Sequence, residues 1–261
     1  MTNQVLVTRS TLVADLTRLG LGWGNVVCVH SALTSLGTVC GGPVAVVQAL
    51  LDVVGRHGTV LVPTHTPGNS DPSRWSHPAV PAEWWPQIRA EQPGFHPRMT
   101  PSEHMGAVAE LVRTWPGAKR SDHPQVSFAA VGDRAEEMTA RHKLAPAFGD
   151  ATPVGRLTAA GGRVLLLGVG YDTASVFHVA EQRTGRATTV EHGAATQAEG
   201  NRRWVTWTDL DHDATGFDEL GAAFEQTGAV SVGRVGAGVA RLFRAAEAVA
   251  FAERWLTEHR P

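Results

Sequence analysis

The run Arg163-Val-Leu-Leu-Leu-Gly168-Val-Gly170-Tyr-Asp172-Thr-Ala-Ser-Val-Phe-His178-Val-Ala-Glu181 decides how the chain folds. Arg163–Val169 is its clearest strand, a short apolar run closed off by Gly-x-Gly. The spacing around Ala174–Arg183 then predicts a short helix. In layered α/β folds, ligands gather beyond the carboxyl ends of strands, which is where this helix begins. His178 and Glu181 stand at i and i+3 and share one helix face. A histidine beside a carboxylate suits a general base near neutral pH. The same spacing also fits a capped helix whose histidine belongs to the core.

The upstream chain agrees with that class. Leu12, Leu16 and Leu19 give Thr11–Leu19 a helical face, and Asn25–His30 reads as a buried strand. Pro43–Val54 reads as a helix with proline in its first turn, and Thr59–Val62 as a second strand. Helix, strand, helix, strand predicts a layered α/β domain. From about 63 to 104 the pattern breaks into prolines interleaved with Trp75, Trp84 and Trp85, a packed excursion rather than a flexible linker. Such insertions serve either as binding segments or as plain structural flaps. Beyond it, Met105–Trp115 and Arg134–His142 read as helices, and Val126–Val131 and Trp204–Trp207 as strands. Phe217–Gln226 and Val239–His259 are helical in spacing.

Composition narrows the function. Length 261 with 43% hydrophobic and 18% charged residues is that of a globular protein. A formal net charge of −2 offers none of the basic excess a duplex nucleic-acid binder shows. Apolar runs such as Val164–Val169 are too short to span a bilayer. Met1–Ser10 lacks the basic start and apolar stretch of a signal peptide. Two cysteines, Cys28 and Cys40, make no disulfide framework, so a cytoplasmic setting is expected. Cys28 reads as core, and nothing near Cys40 points to an activated thiol.

Two further loops carry chemistry. His30-Ser31-Ala-Leu-Thr34-Ser35-Leu36-Gly37, followed by Gly41-Gly42-Pro43, links a strand to a helix. Its hydroxyls and glycines at a helix start suit a phosphate or pyrophosphate, and equally an ordinary glycine-rich turn. Trp204-Val-Thr-Trp207-Thr-Asp209-Leu-Asp211 lets Asp209 and Asp211 point the same way off a strand. They can hold a polycation, tune a histidine, or form a solvated acidic turn.

Taken in order, these segments resemble the aminoglycoside 3-N-acetyltransferase family. The resemblance rests on His30-Ser31 with Gly41-Gly42, Gly58-Thr59-Val-Leu-Val-Pro63, Met105-Gly106 with Ala109-Glu110, and Arg120-Ser-Asp-His123-Pro124 followed by Ser127-Phe128-Ala-Ala-x-Gly132. It is completed by Leu165–Gly170 and His178-Val-Ala-Glu181, and it runs from about Thr8 to Glu253. Departures are Tyr171-Asp-Thr-Ala-Ser175 after Gly-Val-Gly, Thr152-Pro153 for Ser-Pro, and Ala32 after His-Ser. The resemblance implies one antibiotic N-acetyltransferase domain over 1–261. Its fold would be a layered α/β/α with a central mixed sheet and the Pro/Trp-rich flap, distinct from the GNAT fold. It implies acetyl-coenzyme A as co-substrate, no metal, and direct transfer to an amine, the 3-amino group, of an aminoglycoside. His178 would be the general base, oriented by Glu181 or Asp209. Asp71 and Asp211 would hold other ammonium groups, and Ser31, Thr34, Ser35, Leu36 and Gly37 would contact the coenzyme. The partners expected are a small polycationic amine, no nucleic acid and no membrane, with a homodimer left open. The competing readings are a metal-dependent amidohydrolase built on His178, Glu181, Asp209 and Asp211, a non-catalytic amine-binding module, and an acetyltransferase for another amine.

Overall fold

The computed structural model of the protein describes residues 6–76, 78–198 and 200–260. The first five residues of Met1–Ser10, read above as carrying no leader, lie outside the described residues. In chain order the elements are β1 (Leu6–Val7), α1 (Arg9–Leu19), β2 (Val26–Ser31), β3 (Thr38–Val39), α2 (Gly42–Val54), β4 (Thr59–Pro63), α3 (Trp85–Glu91), α4 (Gly106–Thr114), β5 (Lys119–Arg120) and β6 (Phe128–Gly132). They continue as α5 (Ala135–Thr139), α6 (Pro153–Ala159), β7 (Arg163–Leu167), α7 (Phe177–Thr184), β8 (Thr189–Ala198), β9 (Asn201–Leu210), α8 (Phe217–Glu225), β10 (Ser231–Val235), β11 (Gly238–Arg244) and α9 (Ala245–His259).

A mixed sheet of seven strands runs in the order β10-β11-β7-β2-β4-β6-β5. β2 is parallel to β4 on one side and to β7 on the other, whereas the outer pairings are antiparallel. The three central strands therefore end at one edge of the sheet. β2 is apolar from Val26 to Val29 because both of its faces are covered. Val27 and Val29 pack with Leu16, Leu50 and Val108 of α1, α2 and α4. Val26 and Cys28 pack with Met138, Leu157, Phe177 and Val249 of α5, α6, α7 and α9. Helices thus lie on both faces. β8 and β9 form a separate antiparallel hairpin, tied to the 63–104 excursion by a bridge between Phe95 and Thr196. Among the described residues no helix is long and apolar enough to cross a membrane.

The sequence reading of Val239–His259 as helical is corrected. Its first part is β11, paired with β7 from Ala240 opposite Leu167 to Arg244 opposite Arg163, and only Ala245–His259 is helical. Ala240 and Leu242 are buried while Val239 is exposed, an alternation of period two that the strong helical spacing of α9 masks. The helix expected over Arg134–His142 shrinks to α5, because Ala140 is extended and Arg141 adopts a φ of 42°. β10 and the polar β8 leave little apolar signal, which is why neither was read.

Candidate active site

Loops from the ends of β2, β4 and β7 meet above the sheet edge. After β2 comes a 3-10 turn, Leu33–Leu36, and after β7 the backbone turns at Gly168 with φ 74°. A Cβ at Gly168 would stand 2.6 Å from the Cβ of Ser35, so only glycine lets these two loops approach. A second 3-10 turn, Tyr171–Thr173, leads into α7.

α7 buries Phe177, Val179 and Ala180 in the core and turns His178 and Glu181 to the site. The Glu181 carboxylate is the hub. Its Oε2 accepts from His178 Nδ1 at 2.8 Å and from His212 Nδ1 at 2.9 Å. Its Oε1 accepts from Arg260 Nη1 at 2.8 Å and from the Asp213 amide at 3.3 Å. Glu181 is 2% exposed. Burial opposes its charge, but the two imidazoles outweigh burial and hold its carboxyl far below the ordinary range. An ionised carboxylate only accepts hydrogen bonds, so both Nδ1 atoms carry hydrogen. Burial, only partly offset by Glu181, lowers the pKa of His178. His178 is therefore neutral near pH 7, with its lone pair on Nε2. Its ring is braced by Phe148 at 4.8 Å, Phe217 at 4.9 Å and His212 at 5.2 Å.

A small cavity of about 200 Å³, lined by Glu181, Asp211, Asp213 and Arg260, adjoins this centre, and two larger ones lie near it. One of about 650 Å³ is lined by His178, Ser175, the Ser31–Thr34 loop and the start of α4 at Met105–Ala107. The other, about 720 Å³, is walled by the excursion through Asp71, Arg74 and Trp75, and by Gln125 and His192. His65, His104 and Met105 line both. His104 holds a strained φ of 61° on that common wall. α4 starts without a side-chain cap, so its leading N–H groups are free for an anion or a developing oxyanion.

The structure divides the expected site residues. His178 and Glu181 are hydrogen-bonded to each other. Asp209 is buried, but its oxygens accept the backbone amides of Ala147 at 2.7 Å and Leu210 at 2.9 Å, and neither bonds His178. It fixes the segment whose next residue, Phe148, packs on the His178 ring. Ser31 and Thr34 line the cavity beside His178, whereas Ser35, Leu36 and Gly37 do not, and Leu36 is fully buried. Asp71 lines the second cavity but is paired with Arg89 through two 2.8 Å bonds. Asp211 lies outside both larger cavities, lines the small one with Glu181 and Arg260, and pairs with Arg74 at 2.6 Å. Cys40 is exposed and lines neither cavity, and Cys28 is buried in β2.

His212, Arg260, His65 and the α4 start were not read as site groups. Asp209-Leu-Asp211-His212 drew attention to its acids alone, and the 79-residue separation of Arg260 from Glu181 leaves no local signal. Donor atoms of His178, Glu181 and His212 lie within 4.8 Å of one another, close enough to hold a metal. Against that use, Glu181 is already saturated with donors, one of them a permanent cation.

Comparison with known proteins adds the lineage. A family model described as aminoglycoside 3-N-acetyltransferase matches residues 28–257. The SPbeta prophage-derived aminoglycoside N(3')-acetyltransferase-like protein YokD of Bacillus subtilis is 41% identical, over 95% of this chain and 92% of that one. Its crystal structure superposes with a TM-score of 0.96, covering 98% of this chain and 95% of YokD. The AAC-IIIb binary complex with CoASH matches at 30% identity and TM-score 0.86, covering 98% and 99%. AAC-VIa bound to sisomicin matches at 32% identity and TM-score 0.87, covering 98% and 100%.

Proposed function

The chain belongs to the aminoglycoside 3-N-acetyltransferase family, a family of acyltransferases, and from that membership we propose that it moves acetyl from acetyl-coenzyme A to the 3-amino group of an aminoglycoside by direct transfer. One observation carries the mechanism: His178 is neutral, held by Glu181 at Nδ1, and lines the cavity that the Ser31–Thr34 loop and the α4 start also line. The relative bound to CoASH and the relative bound to sisomicin support binding of a coenzyme and of an aminoglycoside. Coenzyme takes the cavity of Ser31, Thr34 and Met105–Ala107, and the amine takes the cavity walled by the 63–104 flap. The thioester donor belongs to the cell interior, which fits the expected cytoplasmic setting.

An alkylammonium ion keeps its proton to a pKa of about 10 and has no lone pair for attack. The substrate amine binds with one proton lost to solvent. As its nitrogen attacks the thioester carbon, the N–C bond forms and the C–S bond breaks. His178 Nε2 takes the second proton and returns it to the departing thiolate. Glu181 stabilises the imidazolium formed on the way. Among the described residues no side chain caps the start of α4 or of the Leu33–Leu36 turn, and their N–H groups would steady the developing oxyanion. No step requires a metal.

Incubation with acetyl-coenzyme A and an aminoglycoside panel, with thiol release followed by colour and the product located by NMR, tests the reading. Chelator leaves the rate unchanged. Absence of amine-dependent thiol release across the panel, or its loss with chelator, overturns it.

A further inference from the structure

His212 stands in the loop after β9, and two facts set it apart from the other buried histidines. Its Nδ1–H is donated to the carboxylate oxygen that also receives Nδ1 of His178, at 2.9 and 2.8 Å. Its ring is fixed edge-on to Phe148 at 4.8 Å, and it lines neither of the two cavities. It therefore cannot touch substrate and acts, if at all, through Glu181. One oxygen with two donors offers each of them less negative charge than it would offer one. Arg260 and the Asp213 amide draw on the other oxygen in the same direction.

We propose that His212 is a positioning residue: it pins Glu181 against His178 and holds down the basicity of His178 by sharing that oxygen. Apart from Glu181, the groups that act on His178 agree in sign. Glu181, on the same helix, favours the charged ring. His212 from the β9 loop and Arg260 beyond α9 disfavour it. His30 within β2 and His65 beyond β4 interact with His178 in the same unfavourable sense. Asp172 lines the same cavity from the 3-10 turn before α7. Without His212, Oε2 of Glu181 would serve His178 alone. The ring would stay protonated to higher pH, and the carboxylate would lose one of its side-chain anchors.

This proposal rests on the acetyltransferase reading, and two variants isolate it. His212→Phe keeps a ring against Phe148 and removes the N–H. His212→Asn places an amide N–H where Nδ1 stood. Thiol release is followed against pH with an acceptor that the wild type uses. For His212→Phe the rising limb of the rate profile moves to higher pH. Turnover at pH 7 falls roughly tenfold, the scale on which outer partners of functional histidines act, while KM for acetyl-coenzyme A stays within about twofold. His212→Asn restores limb and rate. A His212→Phe profile that overlays the wild type overturns the proposal, as does a His212→Asn profile that matches His212→Phe. A further measurement needs neither variant nor acceptor: in wild-type protein with ¹⁵N-labelled histidine, His212 shows hydrogen on Nδ1 at pH 7. Hydrogen found on Nε2 alone overturns it. Failure of all acceptors would count against the acetyltransferase reading, and the labelled-histidine result would still decide the role of His212.

Discussion

His178 meets the two demands on a base, because burial keeps its ring neutral while Glu181 awaits the charge. His178→Ala should cut turnover by about 10²–10⁴-fold, as loss of a general base does, with acetyl-coenzyme A affinity near normal by calorimetry. The rising limb of the rate against pH should lie below the ordinary imidazole value of about 6.5, since the lowered pKa leaves the ring unprotonated to lower pH, and that limb should vanish in the variant. Glu181→Gln should cost less than loss of His178, and the double variant should fall far short of the sum. A folded His178→Ala protein within a few-fold of wild type would end this assignment. Cys40→Ser should leave turnover within about twofold, since Cys40 is exposed and lines neither cavity. An acetylated Cys40, found by mass spectrometry after donor alone, would contradict direct transfer.

At the level of elements, the 63–104 excursion is held from below and from the side. Arg120 of β5 reaches Thr64 just past β4, Ser127 just before β6, and the carbonyls of Pro97 and Thr100 further along the excursion. Arg74 of the excursion pairs with Asp211 beyond β9. An acceptor ammonium that uses Asp211 must displace that arginine. Asp211→Asn should raise KM for a polycationic acceptor by roughly two- to fivefold, the size of an exposed ion pair, with turnover nearly unchanged. Arg74→Ala should lower KM for the same acceptor, and equal effects on a neutral amine would show that the pair serves folding. β2, β4 and β7 were legible because buried parallel strands carry continuous apolar runs, and α7 because its glycine boundary and its i, i+3 pair are local. β11 was lost inside a longer helical pattern, and the ion pairs at Asp71 and Asp211 join residues far apart in the chain.

Over the whole molecule, His178 with Glu181 could be picked from sequence, whereas their surroundings could not. His212, Arg260 and His65 reach the centre only through the fold. Burial also leaves a thermodynamic mark. It lowers His30 and His142 to about 4, and His65 and His123 to about 3. In the unfolded chain these rings take up protons near pH 6.5. The unfolded chain therefore binds more protons between about pH 6.5 and 3, and folding stability falls as pH drops through that window. Glu181 adds to the loss at its acid end, since its depressed pKa favours folding only while it stays ionised. Urea midpoints measured from pH 8 to pH 4 should fall steadily below pH 6.5, and a flat profile would contradict the buried neutral rings. The wall shared by the two cavities has a kinetic consequence. His65, His104 and Met105 line both spaces, and each space has further lining of its own. With donor and acceptor assigned to these two spaces as proposed above, neither need wait for the other, and either substrate should bind the free enzyme. A dead-end thioether analogue of the donor should compete with acetyl-coenzyme A, show noncompetitive inhibition against the amine, and never require the amine to bind.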